Sequence, residues 1–212
     1  LKALSTNNEE PEKASRPFDL KADGFVMSEG AGVLVVERLS SARKRNARVY
    51  AEILGYGNSS DAYHETAPDP KAKGIIRCMQ TAVTRAHLNL TDIKHINAHA
   101  TGTGEADGIE LDGCRAVFGD GVIELIPIFA PKDRLGHLMG ASGAVESIVS
   151  ILTMRDKCIP GMLNLEHPRK TGFDLVTSLR HIDPNAIFNI VLKNSFGFGG
   201  INGSMIFKLW EN

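Results

Sequence analysis

The sequence predicts an α/β fold, and three observations carry that prediction. Short apolar runs rich in Val and Ile alternate with stretches of helical spacing, the pattern of a largely parallel sheet under helical cover. Three glycine-rich loops each follow one of these apolar runs, at the place where such sheets gather ligands. The segment "FVMSEGAGVLVVERL" from Phe25 also aligns without gaps with "FGFGGINGSMIFKLW" from Phe196, so that Gly32 matches Gly203. Two similar hairpins at matching places point to a duplicated fold, with the tail of a first half and a second half present. Hairpins that resemble each other only through their glycines are the alternative.

The elements follow in order. Residues 1–23 are polar and irregular. From Gly24 the chain reads as a hairpin, with "GVLVVERL" (32–39) as its clear strand, and "SSARKRNA" then supplies a serine cap and a short basic helix. "VYAEILGYG" is a second strand. Within "DPKAKGIIRCMQTAVTRAHL", Ile75, Ile76, Met79, Ala82 and Val83 recur at helical spacing. "HINAHA" is a short strand, "EADGIELDGCRAVF" a helix, "LIPIFA" a strand and "SGAVESIVSILTM" a helix. "FNIVLKNSF" and "NGSMIFKLW" close the chain as strands. The domain division read from this order is 1–60 for the end of a first repeat and 61–212 for a second.

Composition narrows the function classes. The 212 residues are 42% hydrophobic, enough for a sizeable core. Lys plus Arg (24) nearly balance Asp plus Glu (25), so charge gives no case for nucleic acid. No apolar run approaches the roughly 20 residues that span a bilayer, and no membrane association is expected. The chain opens at Leu1 with no signal peptide, which reads as processed or truncated. Cys78, Cys114 and Cys158 are too few and too irregular for a disulfide scaffold or a metal site. They read as small buried hydrophobes in a reducing compartment.

Three clusters carry the candidate chemistry. In "INAHATGTGEAD", His99 can act as acid, base or donor near neutral pH. Thr101 and Thr103 point the same way if the segment stays extended; a hydroxyl capping the next helix is the competing role. In "PKDRLGHLMGASGAVES", Lys132 and His137 lie between a strand and a helix that starts near Ser142. The positive end of that helix and the lysine both favour a neutral imidazole, whereas Arg134 suits a solvated loop. In "KNSFGFGGING", Phe196 and Phe198 stand among glycines, either as a movable aromatic at a pocket mouth or as a plug at the edge of the core. Three such loops on one sheet edge converge as a catalytic site does.

"NAHATGT", "KDRLGHLMGASGAVES" and "NSFGFGGINGSMIF" together resemble the C-terminal half of a β-ketoacyl-acyl carrier protein synthase, of the elongating type found in type II fatty acid synthesis. Upstream, "ALSTNNEEPEKASRPFDLKADGFVMSEGAGVLVVERL" and "YAEILGYGNSSDAYHETAPDP" match as well, so the resemblance spans essentially the whole chain. It implies a thiolase-like layered α/β/α/β/α fold and decarboxylative Claisen condensation of acyl groups with malonyl-carrier protein. By the same resemblance His99 and His137 decarboxylate the malonyl group and stabilise the enolate, and Lys132 supports His137. Thr101 and Thr103 hold the phosphopantetheine arm. Phe196 belongs to the same loop, Phe198 is the gatekeeper, and the Phe198 amide helps bind the thioester oxygen.

The implied partners are acyl carrier protein, malonyl and acyl thioesters, and a second copy in a full-length homodimer; no cofactor is implied. The family's nucleophilic cysteine, in a segment like Thr-Ala-Cys-Ser, has no counterpart, so the chain reads as an inactive half. A polyketide ketosynthase fragment and a non-catalytic carrier-binding subunit are the alternatives. The second catalytic cysteine of thiolase has no counterpart either. The mitochondrial matrix is the expected compartment, with the bacterial cytoplasm and the plastid beside it.

Three departures from the resembled pattern stand out. Thr103-Gly104-Glu105-Ala106-Asp107 replaces Thr-Pro-x-Gly-Asp and implies a looser loop. Pro131 precedes Lys132 in place of a small polar residue, and Lys193 stands where serine is usual. The resemblance implies a monovalent cation held by Asn97, Glu146 and that serine position. Glu146 lies in a helix apolar nearly all round, which predicts burial. Lys193 is therefore expected to pair with Glu146 in place of the ion, so no metal is expected.

Overall fold

Apolar side chains that recur every three to four residues from Ile75 to Val83 fold as a helix. In the computed structural model, which describes residues 3–211, that helix lies against a sheet. The helices in chain order are α1 (Leu39–Lys44), α2 (Lys73–Arg85), α3 (Gly104–Phe118), α4 (Asp120–Ile123), α5 (Lys132–Leu135) and α6 (Ser142–Asp156). The strands are β1 (Ala51–Ser60), β2 (His95–Asn97), β3 (Pro127–Phe129), β4 (Cys158–Ile159), β5 (Asp174–Leu175), β6 (Arg180–His181), β7 (Ile190–Gly197) and β8 (Ile201–Leu209). Six strands form one sheet in the order β1-β8-β7-β2-β3-β5, and β4 pairs with β6 apart from it.

The sheet is mixed rather than largely parallel. β1–β8 and β8–β7 run antiparallel, while β7–β2, β2–β3 and β3–β5 run parallel. Only three residues separate β7 from β8, too few for the crossover that a parallel pair requires. Successive strand residues face opposite sides. Leu192 and Ile206 therefore join Ile75, Met79 and Leu111 of α2 and α3 in the main core. Val191 and Phe207 face the other way, with Met154 of α6. Burying each such side chain contributes roughly 1.5–3 kcal/mol. α2 can lie close on β1 because Gly57 has no side chain: a Cβ there would stand 2.0 Å from the Cys78 carbonyl oxygen. Cys78 and Cys114 are buried and Cys158 is partly so, in keeping with small hydrophobes.

Three sequence expectations change. The run 32–39 forms no hairpin strand: it is unpaired up to Arg38, and helix α1 begins at Leu39. Among the described residues it has no neighbouring strand to complete a ladder. Helix α1 has Arg38 at its N-cap and no side-chain cap, so the serine cap is absent. The strand read in "VYAEILGYG" is found as β1, which pairs with β8 at the edge of the six-stranded sheet. α6 turns its polar residues inward. Ser142, Glu146, Ser147, Ser150 and Thr153 are buried, while Val145, Ile148 and Val149 are only half so.

His95 gives the fold a pH dependence. Its ring stacks on Phe188, with centroids 4.5 Å apart, and Nε2 meets the Thr153 hydroxyl at 2.8 Å. Burial pushes its pKa down to about 3. A histidine near 6.5 when unfolded and near 3 when folded binds its proton only by unfolding, so stability falls as pH drops below 6.5. Between pH 7 and pH 5 His95 is expected to account for about 2 kcal/mol of lost stability. Urea unfolding at both pH values checks this. His95→Phe should flatten the dependence by that amount, and an equally steep loss in the variant would exclude His95 as its source.

Candidate active site

β2 delivers the first histidine. Its parallel pairing stops at Asn97, and the chain then leaves the sheet through His99, Ala100 and Thr101 into α3. Two buried acids on α3 hold this exit. Glu110 accepts the His99 amide at 2.9 Å and the Ala100 amide at 2.8 Å, and also accepts the Asn194 side-chain amide at 3.1 Å. Asp107 accepts the amides of Thr101 at 3.0 Å, Gly102 at 3.1 Å and Phe18 at 2.8 Å. Gly102 takes φ +77°, which suits glycine. Asp107 thus ties the backbone just before the Gly104-Glu105-Ala106 departure to Phe18.

Thr101 and Thr103 do point the same way, with their hydroxyl oxygens 2.8 Å apart. Thr103 is the N-cap of α3 but makes no capping hydrogen bond. Its hydroxyl faces Thr101 and a cleft of about 1090 Å³, which both residues line.

His137 enters from the other side of the cleft. Its amide donates to the Val26 carbonyl at 2.7 Å and its carbonyl accepts the Ser28 amide at 3.0 Å, so the segment after Phe25 serves as its backstop. Nδ1 accepts the Met139 amide at 3.2 Å, which places the neutral imidazole's proton on Nε2. The Ser142 hydroxyl lies 3.1 Å from the same Nδ1. The rings of His99 and His137 stand 5.5 Å apart at 80°. Burial and then the Lys132 ammonium bring His137 down to about 4. The same causes, in the same order, hold His99 well below 6.5. Both imidazoles are neutral at physiological pH.

Behind them lies a triad of charge. Lys132 and Glu146 are each 1% exposed, with Nζ 2.5 Å from Oε1. Lys193 is 3% exposed and its Nζ lies 2.7 Å from Oε2 of the same carboxylate. Lys193 therefore turns inward and pairs with Glu146. Burial alone would push the Glu146 carboxyl up, but Lys193 and Lys132 outweigh it and hold it below the usual range. Burial brings the Lys132 ammonium down to about 8. The monovalent cation implied by the resemblance does not fit this arrangement. Each Glu146 oxygen already faces an ammonium, and Lys193 also donates to the Asn194 carbonyl and to Ser195 Oγ. No group of three or more metal-ligating side chains occurs among the described residues.

The two phenylalanines divide the roles that the sequence left open. Phe196 packs against the main core and meets His99 edge-on at 5.9 Å. Phe198 is 52% exposed and lines the cleft. His99, His137, Thr101, Thr103, Phe196 and Phe198 thus line one cleft, with Lys132 buried behind it. Sequence reasoning missed Asp107, Glu110 and Asn194. The signal for the acids was their i, i+3 spacing on the apolar side of α3, beside Leu111 and Cys114.

Comparison with known proteins identifies the arrangement. Residues 50–166 match the family described as Beta-ketoacyl synthase, C-terminal domain, and residues 1–42 match its N-terminal domain. The 3-oxoacyl-[acyl-carrier-protein] synthase 2 of Rhizobium meliloti is 50% identical over 209 residues, covering 98% of this chain and 48% of that protein. A putative mitochondrial 3-oxoacyl-[acyl-carrier-protein] synthase of Schizosaccharomyces pombe is 41% identical over 213 residues, 98% of this chain and 49% of that one. Among solved structures, a type II PKS ketosynthase in complex with its acyl-carrier protein superposes with a TM-score of 0.90. It is 29% identical over 99% of this chain and 51% of that one. The layered sheet is thus the thiolase-like fold of the ketosynthases, and the chain spans about half the length of the curated relatives it matches. Family matches that account for 1–42 and 50–166, and half-identity to a synthase over almost the whole chain, leave one conclusion: this chain belongs to the beta-ketoacyl synthase family.

Proposed function

We propose that the cleft serves decarboxylative condensation: a malonyl thioester on a phosphopantetheine arm loses carbon dioxide, and the resulting enolate attacks an acyl group. The observation that carries this reading is the pair of neutral imidazoles at one end of a cleft whose wall presents two convergent hydroxyls. As the carboxyl–carbon bond breaks, its electron pair moves onto the thioester oxygen. Neutral N–H donors stabilise that charge without being consumed. His137 offers such a donor at Nε2, and His99 supplies the second neutral imidazole. Thr101 and Thr103 suit the polar amides of the arm, and Phe198 suits a gate at its entrance. The partner is an acyl carrier protein, as in the complex of the structural neighbour.

The acyl group needs a nucleophile, and no cysteine lines the cleft among the described residues. Cys78 and Cys114 are buried elsewhere, and burial raises both thiols, Cys78 to about 11. In this reading the nucleophile belongs to the other half of a synthase, which forms a homodimer in its full-length state. The repeats divide, in this reading, at 1–60 and 61–212, an inference from the sequence echo between Phe25 and Phe196 and not from a paired hairpin at 32–39. The mitochondrial matrix is the proposed compartment, supported by the Schizosaccharomyces relative, with the bacterial cytoplasm and the plastid as alternatives.

The test is ketoacyl-carrier formation, followed by mass spectrometry. The 212-residue chain alone is expected to form none. The complete protein is expected to keep its turnover when Cys78, Cys114 and Cys158 are each replaced by alanine. Turnover by the chain alone that disappears with one of these three would overturn the assignment.

A further inference from the structure

β7 is a central strand buried over its first five residues, yet its fourth residue is a lysine. An ammonium stays in such a place only with partners, since desolvation otherwise drives it neutral. Lys193 has several: Glu146 Oε2 at 2.7 Å, the Asn194 carbonyl, and Ser195 Oγ at 3.1 Å. It sits opposite Asn97 of β2 in the parallel register, and His99 follows two residues beyond, past the end of that strand.

We propose that Lys193 is a positioning residue of the site: its ammonium is a tethered cation that fixes Glu146, and with it Lys132, behind His99 and His137 in place of any soluble monovalent ion. The role assumes the histidine-centred chemistry proposed above. Glu146 has two oxygens and each faces its own ammonium, so the carboxylate cannot rotate without breaking one pair. Lys132 of α5 and Lys193 of β7 face one carboxylate of α6. The remaining acids, Glu110 and Asp107 of α3, have their oxygens engaged by backbone amides. A soluble ion occupies such a place only while bound, whereas the lysine is covalently tethered to β7.

The experiment is an NMR titration of histidine-labelled complete protein, wild type and Lys193→Met, in potassium chloride and in choline chloride of equal ionic strength. The wild type is expected to titrate identically in both salts. Lys193→Met is expected to raise the His137 midpoint by about one pH unit, since one of the two ammoniums that disfavour imidazolium is gone. Lys193→Gln is the second variant if the methionine form does not fold. A lysine that only packs the strand would lower thermal stability on substitution without moving the imidazole. A potassium-specific shift in the wild type, or an unmoved His137 in the folded variant, overturns the proposal. Malonyl decarboxylation on the same samples separates the two claims: a wild type that cannot decarboxylate removes the proposed function and leaves the titration standing.

Discussion

Replacing His99 or His137 by alanine in the complete protein is expected to slow carbon dioxide release from malonyl-carrier by about 10²–10⁴-fold. Acyl loading of the nucleophile should change far less. Both rings face the cleft with their nitrogens free of any acid partner, so what they offer the substrate is a neutral N–H donor. The pH dependence follows from the same geometry. Protonating His137 would set a second N–H against the Met139 amide, and with its pKa at about 4 that happens only well below neutrality. Decarboxylation should therefore stay flat as pH falls from 7 to 5 and decline only as pH approaches about 4. Radiolabelled carbon dioxide release and burst-phase acylation separate the two half-reactions. Equal loss in both, or a decline centred near 6.5, would count against the assignment.

Glu146→Ala should be the most destabilising single change at the site. Glu146 is 1% exposed and serves two ammoniums. Deleting it leaves like charges buried together without a counter-charge, a defect of about 3–5 kcal/mol. For a chain of this size that is a fall in melting temperature on the order of 10 °C. The sign with pH is fixed as well. Glu146's folded pKa is held below its unfolded value, so its stabilisation is present above pH 4.5 and is lost as pH falls through the folded value. Removing all three charges together, as Lys132→Met, Glu146→Leu and Lys193→Met, should cost less than removing Glu146 alone, since no orphaned charge remains. Guanidinium unfolding ranks the variants. A Glu146→Ala protein within about 0.5 kcal/mol of wild type would mean that water reaches these charges.

Much of this was legible in the sequence because the signals were local. Helix α2 follows from the spacing of Ile75, Met79, Ala82 and Val83. The site loops follow from glycines placed after apolar strands, and Lys193 stood out only against the serine usual at its place in the resembled pattern. What was not legible depended on partners distant along the chain. Nothing near Gly32 shows whether "GVLVVERL" finds a strand to pair with, and it does not within the described residues. The antiparallel run of β8 beside β7 was legible too, since the glycine-rich turn from Phe196 reads as a hairpin. Asp107 and Glu110 read as ordinary helix acids until the fold brings the amides of Phe18, Thr101, His99 and Ala100 onto them. The inward polar face of α6 was hidden for the same reason. Ser150 accepts from the Asn97 side-chain amide and Thr153 meets His95 Nε2 on β2, a need that the helix's own sequence does not display.

The unpaired run through Val33, Val35 and Val36, 83%, 79% and 70% exposed, has a consequence for the chain in solution. Bare peptide groups flanked by β-branched side chains form a mould for another molecule's strand. "AGVLVV" combines high strand propensity with no charge and no proline, the makings of a dry interdigitated stack between copies. Folding is unimolecular and indifferent to concentration, whereas pairing between two copies grows with its square. The isolated chain therefore has a ceiling on its working concentration, set by six residues that lie outside the cleft.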